Sequence, residues 1–186
     1  AQSNLYQSLK PIREAMRLPE EGLSSEQTGY TFDPKTWGPY QKPGYTISLT
    51  GRILDNKEMY PKEITKFWQQ MTAIRKANPD KEFTVGLWRA TNEKTGKAEI
   101  HMDLNLMTND LKKATKFGLE NRQYGIGVLG EGGKYNDTIQ TGYDPAVHGK
   151  QHLPPKNPKL FRAWQVAEAK RVNEIIAQAT GKPRKE

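Results

Sequence analysis

Residues 82–107 read EFTVGLWRATNEKTGKAEIHMDLNLM. Phe83, Val85 and Leu87 recur at every second position, the period of a strand with one buried face. Ile100, Met102, Leu104 and Leu106 repeat the pattern over 98–107, with His101, Asp103 and Asn105 on the opposite face. Asn92-Glu93-Lys94-Thr95-Gly96 lies between the two runs and is built from turn-forming residues. The stretch predicts two paired strands with one apolar and one polar face.

Reading outward, residues 45–53, YTISLTGRI, alternate in the same way. Tyr45, Ile47, Leu49 and Ile53 fall on one face, and Thr46, Ser48, Thr50 and Arg52 on the other. Residues 61–77 change to helical spacing. Pro61 suits a first turn, Ile64, Phe67, Trp68, Met71 and Ile74 form an apolar stripe, and Asn78-Pro79 ends it. Thr108 and Asp110 mark the start of a second helix, which runs to about Asn121 with Leu111, Ala114 and Phe117 or Gly118 inward. QYGIGVL at 123–129 supplies a fourth strand. The order β-α-β-β-α-β predicts an α+β fold with a ferredoxin-like split-βαβ core, two helices on one face of a four-stranded sheet and the other face open.

The flanks differ from this core. Residues 1–44 are an extension with a short helix (Leu5, Leu9, Ile12 and Met16) and a Gly/Pro-rich loop carrying Tyr30, Phe32, Trp37 and Tyr40. The core spans 45–142, with Gly130-Glu131-Gly132-Gly133 as a turn and a short strand over 134–142. Residues 143–186 combine a Pro-rich linker with a final helix over about 158–179. That helix has Leu160, Phe161, Trp164, Val172, Ile175, Ile176 and Ala179 on a broken apolar stripe. Arg162, Lys170 and Arg171 lie on its outer face.

The 186 residues include no cysteine, which excludes disulfides, thiolate catalysis and cysteine-ligated metals. No window holds 18 consecutive apolar residues, so no membrane span is expected. Ala1-Gln2-Ser3-Asn4 has no signal-peptide pattern, and Ala1 fits either initiator-Met removal or upstream proteolysis. Net charge is +8 and is unevenly spread. Residues 1–44 carry 5 basic and 5 acidic side chains, 45–149 carry 15 and 13, and 150–186 carry 9 and 3. A basic C-terminal region attracts nucleic acid or an acidic protein surface; the alternative is a tail that only aids solubility. The candidate contacts are Lys156, Lys159, Arg162, Lys170, Arg171, Lys182, Arg184 and Lys185, with Trp37 and Tyr40 on the aromatic loop.

The polar sheet face is a second candidate. With the first and third core strands adjacent, Ser48, Thr50 and Arg52 would lie beside His101, Asp103 and Asn105. His101, Asp103 and Arg52 could then act on a phosphorylated substrate; the alternative is an ordinary solvated face. The outward positions of the central strands carry no aromatic pair, and Trp88 is the one outward aromatic on its strand, so a conventional RNA-recognition sheet is not expected. Gly130-Glu131-Gly132-Gly133-Lys134 lacks the spacing of a phosphate loop and is assigned to a hairpin turn. His148 and His152 are four residues apart, but Gly149 and Pro154-Pro155 argue against a helix that would join them on a metal. An oxygen-ligand site using Asp137 or Asp144 has no specifying pattern. No cofactor or metal is expected, and no nucleophile motif is present.

From Phe83 to Gly142 the chain has a strand, a Thr95-Gly96 turn, a strand, a helix ending Phe117-Gly118-x-x-Asn121-x-Gln123, a glycine-interrupted strand and Thr141-Gly142. This resembles small α+β modules of phage-encoded polyvalent and internal virion proteins. Those modules show an aromatic–Asp pair after the Gln, where this chain has Gly127-Val128. Residues 30–53 are also similar to phage single-strand-binding proteins of the OB class, which end in an acidic tail where this chain ends Gly-Lys-Pro-Arg-Lys-Glu. The resemblance implies a bacteriophage origin, a place in the virion or host cytoplasm, and a binding role. The expected function is a non-enzymatic protein that meets nucleic acid or an acidic protein. The alternatives are a virion structural or assembly protein and the sheet-face enzyme.

Overall fold

The computed structural model describes residues 29–36, 38–55, 61–92, 94–96, 98–155 and 157–181. In chain order the elements are β1 (Gly29–Phe32), β2 (Gly44–Asp55), α1 (Pro61–Ala77), β3 (Phe83–Thr91), β4 (Ala98–Thr108), α2 (Leu111–Glu120), β5 (Gly125–Leu129), a 3-10 turn (Glu131–Gly133), β6 (Tyr135–Gln140), the single turn α3 (Pro145–His148) and α4 (Pro158–Ala179). Each strand and helix predicted between residues 45 and 142 is present. The last helix also has the bounds predicted for it, with Asn157 capping the Lys159 amide at 3.0 Å.

The strands form one antiparallel α+β sheet in the order β1-β3-β4-β2-β5-β6. The expected four-stranded ferredoxin-like sheet is therefore corrected to six strands. β1 comes from a stretch predicted as loop. Four residues are too few to show a period, and pairing with β3, from Gly29 opposite Trp88 to Phe32 opposite Val85, makes them a strand. At the other edge β6 pairs with β5 through the Gly130–Lys134 turn, where Gly130 N donates to Lys134 O at 2.7 Å. β5 starts two residues later than predicted, because Arg122 and Gln123 close α2. Arg122 has φ 58°, and the Gln123 amide donates back to Gly118 O at 2.9 Å.

The helices pack on one face. Phe67, Met71 and Ile74 of α1, Ala114 and Phe117 of α2, and Val172, Ile175, Ile176 and Ala179 of α4 cover Ile47, Leu49, Val85, Leu87, Met102, Leu104 and Leu106, all buried. Each such aliphatic side chain contributes about 1.5–3 kcal/mol of burial free energy. The apolar stripe predicted along the whole of α4 is seated only in its second half. Leu160 is 57% exposed, and Phe161 stacks on Trp164 at 5.9 Å beneath the Lys66 ammonium.

The sheet is curled, and its edges β1 and β6 come into contact. Helices fill one face, so the edges can meet only around the other. The segment between β1 and β2 ties them together. Tyr40 N donates to Thr31 O at 3.1 Å, and Gly133 packs so close to the Tyr40 carbonyl that any Cβ there would collide with it.

A bulge in β2 organises the centre. Ser48 pairs with Asn105 and Thr50 with Leu104, which leaves Leu49 as the extra residue. Its carbonyl accepts from Asn121 Nδ2 at 3.1 Å and from Arg171 Nη2 at 3.2 Å, and Asn121 Nδ2 also reaches Ser48 O. Arg171 Nη1 donates to Asn121 Oδ1, and its Nε to Glu168 Oε1 at 2.6 Å. Glu168, buried, also accepts from Thr50 Oγ1 at 3.5 Å. Removing one partner would leave a buried charge uncompensated. Arg171→Ala is expected to cost about 3–5 kcal/mol in urea denaturation, with part of the loss recovered in the Arg171→Ala/Glu168→Gln double variant. A loss below about 1 kcal/mol, the size of a surface pair, would show that the bulge holds without the knot.

Candidate functional site

The basic residues predicted as contacts separate into three groups. Lys159, Arg162 and Lys170 are exposed on α4. Their spacing, with Val166 between, is that of one helix face. Lys156, Lys182, Arg184, Lys185 and Trp37 lie outside the described residues. Arg171 and Tyr40 are corrected. Arg171 was expected on the outer face of α4, but it turns inward to the β2 bulge and spends its donors on Glu168, Asn121 and Leu49. Tyr40 was expected on a contact surface, but it is buried; burial first, then Glu82, raises its phenol pKa.

The fold adds basic residues that the tail-centred reading passed over. Lys112, Lys113 and Lys116 are exposed on α2. Two of them stand in its first turn, which holds no acidic residue. The Asp110 carboxylate caps this end by accepting from Lys113 N at 3.1 Å but, among the described residues, makes no ion pair with a lysine side chain, and cations at the positive end of a helix are unfavourable by a few tenths of a kcal/mol to about 1 each. α2 and α4 run antiparallel, with Asn121 beside Arg171 at one end and Lys113 beside Gly181 at the other. A Cβ on Gly181 would lie 4.0 Å from Lys113 Nζ. Gly181, the last described residue, thus lies next to an α2 lysine, and Lys182-Pro183-Arg184-Lys185 follow it in sequence. Among the described residues, none of Lys112, Lys113, Lys116, Lys159, Arg162 and Lys170 has a carboxylate within ion-pair distance. The sequence signal for the α2 group was the lysine pair directly after a helix start, a poor choice for the helix itself.

The helix-free sheet face differs from the predicted constellation. Leu49 inserts one residue, so the register beyond it slips by one. Thr50 is drawn to buried Glu168 and Arg52 comes opposite Met102, while Gly51 and Ile53 come opposite Asp103 and His101. The expected Arg52–His101–Asp103 cluster does not assemble by register. Trp88 stands on the other flank of β4. It pairs with His101 across β3 and β4, and the rings stack at 4.1 Å. Trp88 Nε1 donates to Asp103 Oδ2 at 3.1 Å, and Glu99 Oε1 lies 3.1 Å from His101 Nε2.

Among the described residues, no group of three or more His, Asp or Glu side chains could hold a metal ion. The His148 ring faces the Asp144 backbone in the single turn α3. No described helix is long and apolar enough to cross a membrane.

Burial raises the Asp103 pKa above the ordinary 3.8, against the opposing effects of the Trp88 hydrogen bond and His101. The folded state therefore holds this proton more tightly than the unfolded chain. The resulting stabilisation is complete below pH 3.8 and is lost as pH rises through the folded-state value. Asp103→Asn is uncharged throughout, so its stability relative to the parent should climb between about pH 3 and pH 7. Urea midpoints at the two pH values measure this; a difference that stays flat would show that the carboxylate is not desolvated.

No protein-family model, curated protein sequence or solved structure matches the chain.

Proposed function

We propose that the protein is a non-enzymatic binding protein that contacts nucleic acid through its phosphates, over the surface where the first turn of α2 meets the C-terminal end of α4. One observation carries this reading. Lys112 and Lys113 are exposed at the positive end of a helix, without an acidic partner among the described residues, beside the point where the chain enters its basic terminal residues. Lys159, Arg162 and Lys170 extend the positive surface along α4. Such a surface follows the backbone charge and does not read bases, so the binding is largely independent of sequence.

The same reading takes β2, α1, β3, β4, α2 and β5 as a ferredoxin-like split-βαβ unit to which β1 and β6 are added. The pairing of β4 with both β2 and β3 supports it.

Fluorescence polarisation with short single- and double-stranded DNA and RNA at several salt concentrations tests the assignment. The expected result is affinity that falls steeply with salt, at about 0.9 log units per log unit of salt for each duplex phosphate neutralised. Replacing Lys112, Lys113 and Lys116 together by Gln should reduce that slope by about 2–3 and weaken all sequences alike. No binding at low salt would overturn the nucleic-acid assignment and pass this surface to an acidic protein partner.

A further inference from the structure

Asp103 occupies an unusual place on the helix-free face. Its cross-strand neighbours are Gly86 in β3 and Gly51 in β2, so neither flank carries a side chain. The carboxylate leans over Gly51. A Cβ at that position would collide with Asp103 Oδ1 and lie 2.8 Å from Met102 O. Glycine at 51 therefore keeps space that the carboxylate uses. Beyond Gly86, Asn105 and Thr84 are buried and bonded to each other at 3.4 Å, which closes that side.

Trp88 and His101 form the other side. Trp88 has one ring face on His101 and remains 42% exposed, so an aromatic surface stands open beside the carboxylate. Glu99 holds His101 and also lies 3.4 Å from Asn92 Nδ2, which anchors the stack from outside. The hydrogen bond from Trp88 is the one the Asp103 carboxylate accepts among the described residues. A carboxylate has room for about four. The residues in register with His101 and Asp103 on the neighbouring strands are Ile53, Gly51, Trp88 and Gly86, none of them basic. A desolvated carboxylate with open acceptors, next to an exposed indole and with no Lys or Arg in register with it on the neighbouring strands, matches the recognition chemistry of a small organic cation.

We propose that this niche binds a guanidinium or alkylammonium group, with Asp103 as its ion-pair partner and the open face of Trp88 as its stacking surface. The site lies on the opposite side of the sheet from the α2–α4 lysines and does not depend on the nucleic-acid reading. The cation has two possible sources, a free small molecule or an Arg or Lys side chain of another protein.

The test is a titration of the full-length, 15N-labelled chain with methylguanidinium and with the peptide Gly-Arg-Gly-amide. It follows the indole N–H signal of Trp88, assigned from its loss in Trp88→Phe. Saturable movement of that signal is expected, with at least tenfold weaker binding in Asp103→Asn. That variant is nearly isosteric and keeps an acceptor for Trp88. Trp88→Leu, followed through the Gly51 and Gly86 amides, should weaken binding at least threefold, and it guards against a folding defect in the first variant. Peptide binding tenfold tighter than methylguanidinium assigns the cation to a protein side chain, and equal affinity assigns it to a small molecule. No saturable shift at tens of millimolar, equal binding by Asp103→Asn, or movement by inorganic phosphate with methylguanidinium silent would each overturn the proposal.

Discussion

The guanidinium of Arg171 and the amide of Asn121 together hold the Ser48 and Leu49 carbonyls at the β2 bulge. Much else depends on that contact. Leu49 is the inserted residue, and inserting one residue exchanges the two faces of everything that follows it on the strand. Gly51 comes to lie under Asp103, Thr50 turns to Glu168, and Arg52 leaves the row of His101. The same contact seats α4 antiparallel on α2, which brings Gly181 to Lys113 about 15 Å of helix away, on the 1.5 Å rise per residue. A buried ion pair is weak evidence for net stability in general. Here it is tied to a register, and register is a matter of specificity.

The sheet separates two surfaces of opposite character. The helical layer carries exposed lysines and arginine, two of them at a helix end where their charge is locally unfavourable. The helix-free face carries Asp103, Glu99 and a Trp–His stack. On the two proposed sites, a polyanion on the helical layer and a cation on the helix-free face would have the sheet and its core between them.

Curling explains the small residues of the helix-free face. Gly51 lies under Asp103, Gly86 under Asn105, and Gly127 so near Thr46 that a Cβ would sit 2.9 Å from its hydroxyl. Side chains on the inside of a curved sheet converge, and glycines give their neighbours somewhere to fold. In Gly127 the backbone amide also donates to that hydroxyl at 2.8 Å, so the close approach is bonded as well as tolerated.

The sequence by itself determined the elements and their apolar faces. Phe83, Val85 and Leu87, and Met102, Leu104 and Leu106, alternate because a strand has a period of two. Phe67, Met71 and Ile74 recur at helical spacing, and proline, asparagine and glycine mark the ends of α1 and α4. All of this is local physics, legible wherever a run is long enough to show its period. The tertiary structure alone decided β1, too short to show a period and made a strand by the edge of β3. It also decided the bulge at Leu49, the inward turn of Arg171, the burial of Tyr40, and the meeting of Trp88 with Asp103 fifteen residues away. Each depends on which groups lie opposite in space. Nothing within a few residues along the chain distinguishes an arginine that will reach the carbonyl of a bulge and a buried carboxylate from one that will face water.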